Sequence, residues 1–315
     1  MSAFASLARA VRRAADPQRT ALLSPQQGVA WSYGELDRRV RSLGRGLREF
    51  GFTEGSIAVS DVENVKENLV LQLALSHIGA TIATCKNEEA LAKLMVDQPN
   101  VRGAVLTSAD SPFASANLHL PPILLEGAPP LAPGASAVAF AQLAAAPPCD
   151  EDAAATADGL LGIYSGAALT HGAAHGLGAA AGAALGVRAG DVSCVSITLC
   201  HAFGIGSAVG SALQAGGAVL LPAVGGIRGC GDPKQRAAAT RDVLYSSAAT
   251  LLFADSHTLR GLQALPPPRL PALRGGVCKV GSGSDYLEGV TDTGGASPIP
   301  LEYAGKRLQA MGKAP

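Results

Sequence analysis

The chain has 315 residues, and its 25 lysines and arginines balance its 25 aspartates and glutamates. A neutral chain lacks the positive charge that general nucleic-acid binding requires, so we expect no nucleic-acid partner. The length suits one large α/β domain or two smaller ones, and the 48% hydrophobic content favours a packed core of small side chains. The six cysteines contain no CxxC pair, which favours free thiols in a reducing, intracellular compartment.

The first fifteen residues contain three arginines and no acidic residue, a composition that occurs in mitochondrial targeting segments. The same segment has apolar residues at the spacing of an ordinary amphipathic helix: Phe4, Leu7, Ala8 and Val11. Both interpretations stay open. The expected location is intracellular, with the mitochondrion as its more specific form.

Helices and strands are predicted to alternate in the first third of the chain. Ser32 and Glu35 form a capping box that begins a helix, and Gly51 ends it. The next predicted elements are a strand at 57–59, a helix at 66–78, a strand at 81–83, a helix from Asn87 to Met95, and a strand at 103–106. Short loops between them imply parallel strands, so we place a first α/β lobe at residues 1–107.

Residues 108–158 are rich in proline and alanine, and we interpret them as a linker region with at most one strand, at 123–125. Alternation resumes in residues 159–315, which we interpret as a second lobe. Its predicted strands are 160–163, 192–197, 218–221, 250–253 and 277–280. One predicted helix ends at Leu185, and two others span 204–213 and 236–244. The predicted fold class is therefore α/β, with two doubly wound, mainly parallel sheets.

Charge is scarce in part of the second lobe: only Arg188 and Asp191 are charged between residues 159 and 227. Segments 159–187 and 192–227 are each long enough to cross a membrane. Their alanine, glycine and histidine content and their β-branched runs favour buried strands, or a surface covered by a partner. We therefore predict no membrane span, and association with a membrane complex stays open.

Three short patterns are compatible with a reactive site. His171 and His175 have the i, i+4 spacing of two metal ligands on a helix, but no acidic residue or cysteine lies near them in sequence. Cys200 and His201 are adjacent, so on a strand their side chains would point to opposite faces. The Gly-Ser-Gly-Ser run at 281–284 would bind phosphate only at the start of a helix. We interpret all three as structural and predict no metal site and no catalytic residue.

Longer motifs occur in an informative order. In the first half they are Asp16-Pro17, Ala21-Leu22, 31–36 (WSYGEL), 51–59 (GFTEGSIAV) and the helix from Asn64 to 79–81 (GAT). In the second half they are 199–204 (LCHAFG), 215–222 (AGGAVLLP), 249–259 and 301–304 (LEYA). From about residue 4 to 310 this order resembles the adenylate-forming superfamily of acyl-CoA synthetases, luciferases and nonribosomal adenylation domains. The resemblance implies the large N-terminal domain of enzymes that join a carboxylate to AMP from ATP, and then to a thiol.

The sequence departs from the family at its phosphate-binding loop. Family members have YTSGTTGxPKG before LTH, whereas this chain has only two alanines between Tyr164-Ser165-Gly166 and Leu169-Thr170-His171. The intervening Thr-Thr-Gly and Lys-Gly are missing. Without those donors and that charge, phosphate binding loses its preorganised electrostatic clamp.

Two further departures concern the end of the chain. If Tyr303 corresponds to the family's adenine-stacking tyrosine, Lys306 and Arg307 stand where a threonine and a Mg²⁺-binding glutamate are expected. A guanidinium in place of a carboxylate repels the metal ion. The chain also ends before the family's ribose-binding aspartate, hinge and mobile C-terminal domain, so we expect that domain to be absent.

These departures predict a non-catalytic relative of the acyl-CoA synthetases (a pseudoenzyme) that acts as a structural or accessory subunit of a larger complex. Other protein subunits are its expected partners, and no cofactor is expected. One alternative is a carboxylate-activating AMP ligase that another chain completes and that uses ATP and Mg²⁺; another is an acyl- or CoA-binding module. For these alternatives the resemblance implies three features. Tyr164, Ser165 and Gly166 would be the remnant of the phosphate-binding loop, and His201 and Phe203 would line an acyl pocket. Tyr303 would stack on the adenine ring.

Overall fold

The computed structural model describes residues 5–126, 137–150, 155–223, 232–263, 272–280, 283–287 and 308–310. Its strands are β1 (Thr20–Ser24), β2 (Val29–Ser32), β3 (Ile57–Ser60), β4 (Thr81–Thr84), β5 (Val101–Leu106), β6 (Ile123–Leu124), β7 (Val138–Ala139), β8 (Leu160–Tyr164), β9 (Ala167–Thr170), β10 (Val192–Ser196), β11 (Ala218–Leu220), β12 (Leu251–Asp255), β13 (Gly275–Val280), β14 (Gly283–Leu287) and β15 (Leu308–Ala310).

Its α-helices are α1 (Leu7–Arg12), α2 (Tyr33–Phe50), α3 (Lys66–Ile78), α4 (Glu88–Asp97), α5 (Phe140–Ala144), α6 (His171–Leu185), α7 (Gly210–Ala215), α8 (Pro233–Ser246) and α9 (Ser256–Gln263). A short 3-10 helix spans Pro25–Gln27, and a π-helix spans Ala202–Val209.

The chain forms two compact units, each built around one sheet. Unit 1 consists of Met1–Arg13, Gly34–Glu63 and Glu67–His175; unit 2 consists of Ala14–Tyr33, Asn64–Lys66 and Gly176–Pro315. The sheet of unit 1 has the strand order β7-β6-β5-β3-β4-β8-β9, and that of unit 2 has the order β15-β14-β13-β12-β10-β11-β1-β2. Both sheets are mainly parallel, which confirms the predicted α/β fold class.

The sheet of unit 1 is parallel from β7 to β8, and β9 is added antiparallel at its edge. All four residues of β3 are buried, as expected for a central parallel strand that is covered on both faces. Helix α3 is buried along almost its whole length. Two of its polar residues, Asn68 and Gln72, are therefore buried and have to find hydrogen-bond partners inside the protein.

In unit 2 the five central strands, β13-β12-β10-β11-β1, are parallel, and antiparallel strands extend the sheet on both sides. Helices α8 and α9 cover one face of the sheet. Their Val243, Leu244 and Leu259 form a buried cluster with strand residues such as Leu252 and Cys278. Because side chains alternate along a strand, Phe253 and Val277, which are neighbours in register, lie on the opposite face.

Most elements predicted in the first third of the chain are confirmed. Helix α3 has the predicted bounds, and β3, β4, β5 and α4 extend the predicted segments by a few residues. Asn87 caps α4 as predicted, because its side chain accepts a hydrogen bond from the backbone N–H of Ala90 at 2.9 Å.

The two units divide the chain differently from the predicted segments 1–107, 108–158 and 159–315. Within the predicted linker, β6 lies at the one strand predicted there, 123–125, and both β6 and β7 extend the sheet of unit 1. Strand β7 was not predicted, because its two residues are too few to produce a periodic pattern. Residues 160–170 also pair with that sheet, through β8 and β4. The β1–β2 hairpin, which the sequence analysis did not predict, belongs to unit 2 because β1 pairs with β11.

In its described part, residues 159–223, the charge-poor segment forms four strands, α6, α7 and the π-helix. The helix predicted at 204–213 is thus two elements, a π-helix followed by α7. Among the residues that the structure describes, no helix is both long enough and apolar enough to cross a membrane.

Candidate functional site

An imidazole and an amine meet beyond the carboxyl ends of the parallel strands of unit 2. His201 follows β10 in the chain, and Lys279 lies near the end of β13. The Nζ atom of Lys279 is 2.8 Å from Nε2 of His201. The other ring nitrogen, Nδ1, accepts a hydrogen bond of 3.0 Å from the backbone N–H of Phe203. Open α/β sheets commonly bind ligands at the carboxyl ends of their strands, so this pair is the candidate functional site.

The loop that leads to His201 is held by Asn64. The side-chain amide of Asn64 donates to the carbonyl of Ile197 at 2.5 Å, and its oxygen accepts from the N–H of Leu199 at 2.8 Å. The loop ends at His201, whose extended backbone and ring nitrogen cap the π-helix. Cys200 and His201 therefore lie in a loop, and not on a strand as the sequence analysis assumed.

The π-helix adds an aromatic wall on the same side of the sheet. The ring of Phe203 lies 6.1 Å from that of Phe253, measured between centroids, with an angle of 54° between the ring planes. Phe253 pairs in register with Val277, and Lys279 is two residues further along the same strand, so all three share one face. Gly204 permits the close approach of the π-helix to the loop before it, because a Cβ there would overlap the carbonyl of Thr198.

The carboxylate nearest to Lys279 in register is already paired with a different cation. Asp255 is the neighbour of Lys279 on β12, and both of its carboxylate oxygens accept hydrogen bonds from Arg236, at 3.1 and 3.0 Å. The backbone N–H of Thr258 donates to the same carboxylate at 2.7 Å. The charge of Asp255 is thus compensated within its own buried network.

His201 is neutral at pH 7. Burial, and to a smaller extent the adjacent Lys279, lower its pKa below the ordinary value of about 6.5. The site therefore consists of a neutral imidazole, an amine and an aromatic wall. Such a set of groups can bind a ligand or transfer a proton.

In unit 1, Tyr164 belongs to a buried chain of hydrogen bonds. Its hydroxyl donates to Oε1 of Gln72 at 2.7 Å, and Nε2 of Gln72 donates to Oδ1 of Asn68 at 2.8 Å. Asn68 in turn donates to the carbonyl of Val62 at 2.7 Å. This network provides partners for the buried amides of α3, which is a structural role for the tyrosine.

Ser165 and Gly166 form the whole connection between β8 and β9, because Tyr164 pairs directly with Ala167. Both residues have positive φ angles, 51° and 89°, as in the two-residue turns that join twisted antiparallel strands. The backbone N–H of Ser165 donates to the carbonyl of Thr84 at 2.9 Å. Where the resemblance in sequence places a phosphate-binding loop, this chain therefore has a tight hairpin.

His171 begins α6 and is only 4% exposed. Burial lowers its pKa to about 4, so the imidazole is neutral at pH 7. His175 lies one turn further along the same helix. In the described part of the chain, no group of three His, Cys, Asp or Glu side chains is arranged to hold a metal ion.

The residues named in the sequence analysis belong to different units. Tyr164, Ser165 and Gly166 lie in unit 1, and His201 and Phe203 lie together in unit 2. Tyr303, Lys306 and Arg307 lie outside the described residues, as do residues 281 and 282 of the Gly-Ser run. Ser284 is in β14 and not at the start of a helix. The five cysteines that the structure describes form no disulfide bond: Cys85, Cys149, Cys194, Cys200 and Cys278.

No sequence motif pointed to Lys279. The pattern predicts a strand at 277–280, and this lysine is the one cationic residue in it. A lysine inside an otherwise uncharged predicted strand was the available signal. The identity of its partner could not be read from the sequence, because His201 is 78 residues away.

Comparison with known proteins gives one partial family match and several matches of fold. Residues 9–95 match the family model described as AMP-binding enzyme. None of the curated proteins compared with the chain matches it by sequence. Several solved structures match its fold, each with a low sequence identity.

A benzoate CoA ligase from Burkholderia xenovorans LB400 matches with a TM-score of 0.70 and 20% identity, over 87% of this chain and 55% of the ligase. The N-terminal domain of FACL13 from Mycobacterium tuberculosis matches with a TM-score of 0.68 and 16% identity, over 88% and 70% of the two chains. MbtA from Mycobacterium smegmatis matches with a TM-score of 0.70 and 16% identity, over 90% and 59%. The chain thus spans little more than half of the benzoate CoA ligase. It matches the AMP-binding enzyme model at residues 9–95, and over 87–88% of its length it has the fold seen in the benzoate CoA ligase and in the N-terminal domain of FACL13.

Proposed function

We propose that the chain is a non-catalytic relative of the acyl-CoA ligases that serves as an accessory or structural subunit of a larger protein complex. It works without ATP or Mg²⁺, its partners are other protein subunits, and its location is intracellular, more specifically mitochondrial. The observation that carries the proposal is the two-residue turn at Ser165 and Gly166.

A phosphate clamp needs several backbone N–H donors and a cation directed at one point. Here the N–H of Ser165 is bonded to Thr84, and the hydroxyl of Tyr164 is bonded to Gln72. No lysine occurs in the sequence between Lys93 and Lys234, so this turn has no neighbouring lysine in the chain. These features support a chain that retains the two sheets of the fold but does not bind a triphosphate.

The surface of α6 supports the accessory role. The helix contains no charged residue, and small uncharged residues are exposed along it: Ala173, Gly176, Ala179, Ala180, Ala183 and Ala184. Side chains of this kind allow close approach of another protein at little desolvation cost. If the chain is a subunit, it should migrate as part of a large assembly when cell extracts are separated under native conditions.

We expect no ATP–pyrophosphate exchange by the purified chain with any member of a panel of aliphatic and aromatic carboxylates. Exchange requires a bound triphosphate, and the hairpin offers no clamp for one. A CoA ligase of the same fold, assayed in parallel, provides the positive control. Exchange that depends on a carboxylate and follows the protein through purification would contradict the proposal.

The alternative is a carboxylate-activating ligase that another chain completes, and the match of residues 9–95 to the AMP-binding enzyme model favours it. It predicts ATP–pyrophosphate exchange only when the completing chain is added. An acyl- or CoA-binding module, favoured by His201 and Phe203 at the sheet edge, predicts retention of labelled acyl-CoA without exchange.

A further inference from the structure

Helices α1 and α2 carry a local excess of positive charge. Together with Arg13, which follows α1, they contain eight arginines, no lysine and three acidic residues. The arginines are Arg9, Arg12, Arg13, Arg38, Arg39, Arg41, Arg45 and Arg48. Because the whole chain is neutral, this surplus of five charges is confined to one region, and it favours contact with an anionic partner.

Four of the arginines form a stripe along α2. They are spaced three, four and three residues apart, which places them on one side of the helix: Arg38, Arg41, Arg45 and Arg48. Arg12, at the end of α1, adjoins the stripe, because Arg12 and Arg41 both contact Asp150. These five arginines are called the arginine surface below.

A short segment of the chain itself already lies on the arginine surface. Oδ1 of Asp150 accepts a hydrogen bond of 2.6 Å from Nη1 of Arg41 and is 3.7 Å from Nη2 of Arg12. The backbone carbonyl of Asp150 accepts from Arg12 at 3.3 Å. One residue earlier, Sγ of Cys149 is 3.9 Å from Nη1 of Arg48. The arginine surface therefore binds both a carboxylate and the backbone of a segment that belongs to no helix or strand.

The contact with Asp150 lies at the protein surface. Its side chain is 85% exposed, and ion pairs at such positions contribute little to stability, so another carboxylate can replace it. We propose that the arginine surface is the docking site for an acidic segment of a partner protein, and that Asp150 occupies part of it until the partner binds. Guanidinium groups bind carboxylates through paired, charge-assisted hydrogen bonds, which fits a run of aspartates and glutamates. The inference rests on the accessory role proposed above and adds the chemistry of the partner.

The arginines of this surface have partners within the chain, so an incoming segment binds by exchange. Nε of Arg41 donates to Asp37 at 2.9 Å, and Nε of Arg45 donates to Glu49 at 2.7 Å, each one turn away on α2. These pairs hold the guanidinium groups in place, which reduces the entropy that the side chains lose when a partner binds. The acidic residues on α2 are fewer than its arginines, so the surface keeps its positive charge.

A fluorescein-labelled peptide of about ten glutamates is the probe, and its anisotropy is measured with the full chain at about 50 mM salt. The parent chain should bind it and should not bind an uncharged peptide of serine and glycine. Arg12→Gln/Arg41→Gln should raise the Kd about fivefold or more. The matched control, Arg188→Gln/Arg260→Gln, removes the same charge from exposed positions of unit 2 and should change the Kd less than about twofold. Equal effects of the two double variants would overturn the proposal.

Asp150→Asn tests the exchange separately, and it still decides the proposal if the double arginine variant fails to fold. The amide no longer competes for the guanidinium groups, so the peptide should bind about threefold more tightly. Asp97→Asn, at an exposed position on α4, removes the same charge elsewhere in unit 1 and should have little effect. No tightening with Asp150→Asn would overturn the proposal. Binding to phosphatidylserine vesicles without binding to the peptide would overturn it as well, because the surface would then recognise lipid.

Native separation of cell extracts distinguishes this inference from the accessory role on which it rests. We expect the parent chain to migrate in a large assembly and Arg12→Gln/Arg41→Gln to be released from it. If both chains migrate in the assembly, the accessory role stands and the arginine surface is not its docking site. If neither does, the accessory role fails, whatever the result with the peptide.

Discussion

Replacing Arg236 by methionine is expected to lower the free energy of unfolding by about 3–5 kcal/mol, the usual cost of removing one partner of a buried ion pair. The side chains of Arg236 and Asp255 are only 5% and 9% exposed. Arg236 binds both oxygens of Asp255 and also donates from Nε to the hydroxyl of Thr258 at 2.7 Å. Without the guanidinium, the carboxylate is left in a site from which it cannot reach water, and this accounts for the large loss.

Urea unfolding of the parent and of Arg236→Met measures the effect directly. Arg241→Met is the matched control on the same helix, because Arg241 pairs with Asp242, whose side chain is 63% exposed. It should cost less than about 1 kcal/mol. The double variant Arg236→Met/Asp255→Asn also removes the unpaired negative charge of Asp255, so it should regain part of the lost stability. A loss below 1 kcal/mol in Arg236→Met would contradict the buried pair.

Lowering the pH from 7 to 4 is expected to reduce the free energy of unfolding by about 3 kcal/mol through His171 alone. Burial lowers the pKa of His171 to about 4 in the folded chain, against about 6.5 in the unfolded chain. Between these values the unfolded state binds a proton that the folded state does not. Stability therefore falls as the pH drops through 6.5 and stops falling, as far as His171 is concerned, below about 4.

His171→Gln removes this titration, so its stability should depend much less on pH over the same range. His257→Gln, at an exposed position on α9, is the control and should retain the dependence of the parent. His201 titrates in the same direction, and for that reason the comparison is made between variants. Equal slopes for the parent and His171→Gln would contradict the burial of this ring.

The carboxyl group of Asp191 changes the free energy of unfolding at a lower pH than His171 does. Burial alone would raise its pKa, but hydrogen bonds from Arg274, from the backbone of Arg188 and from Thr250 outweigh that effect and hold the pKa below its usual range. The folded state thus keeps this carboxylate charged after the unfolded state has begun to protonate it. Its contribution to stability is lost only as the pH falls below 4, outside the window in which His171 titrates.

Local patterns were sufficient to predict much of unit 1. Helix α3 and strands β3 and β4 are rich in apolar and β-branched residues, and glycines lie between them, so both the type and the limits of these elements could be predicted. Asn87 supplied a capping signal with a direct physical basis. Here the local preferences and the final structure agree.

The assignment of strands to sheets could not be predicted in the same way. Strand β1 enters the sheet of unit 2 by pairing with β11, almost 200 residues later, and β8 enters that of unit 1 by pairing with β4. Nothing in a strand's own alternation of side chains specifies such a distant neighbour. The π-helix likewise has the apolar composition of an α-helix, so its composition could not distinguish the two kinds of helix.

Only part of the candidate site could be predicted. His201 and Phe203 were identified from a motif, and their hydrogen bond is local. Lys279 reaches them because β10, β12 and β13 are neighbours in one parallel sheet, which places the ends of these strands together. Contacts of this kind depend on topology, and the sequence provided only a single lysine in an apolar strand as a signal.

Thermal unfolding of the full chain with and without excess Mg·ATP tests the central claim most directly. A ligand present at a hundred times its Kd adds about 2.7 kcal/mol of stability, which raises Tm by a few degrees. Because a two-residue turn stands where the phosphate loop is expected, we predict no change in Tm. A reproducible rise with Mg·ATP would contradict the account, since it would show that the fold still binds the nucleotide.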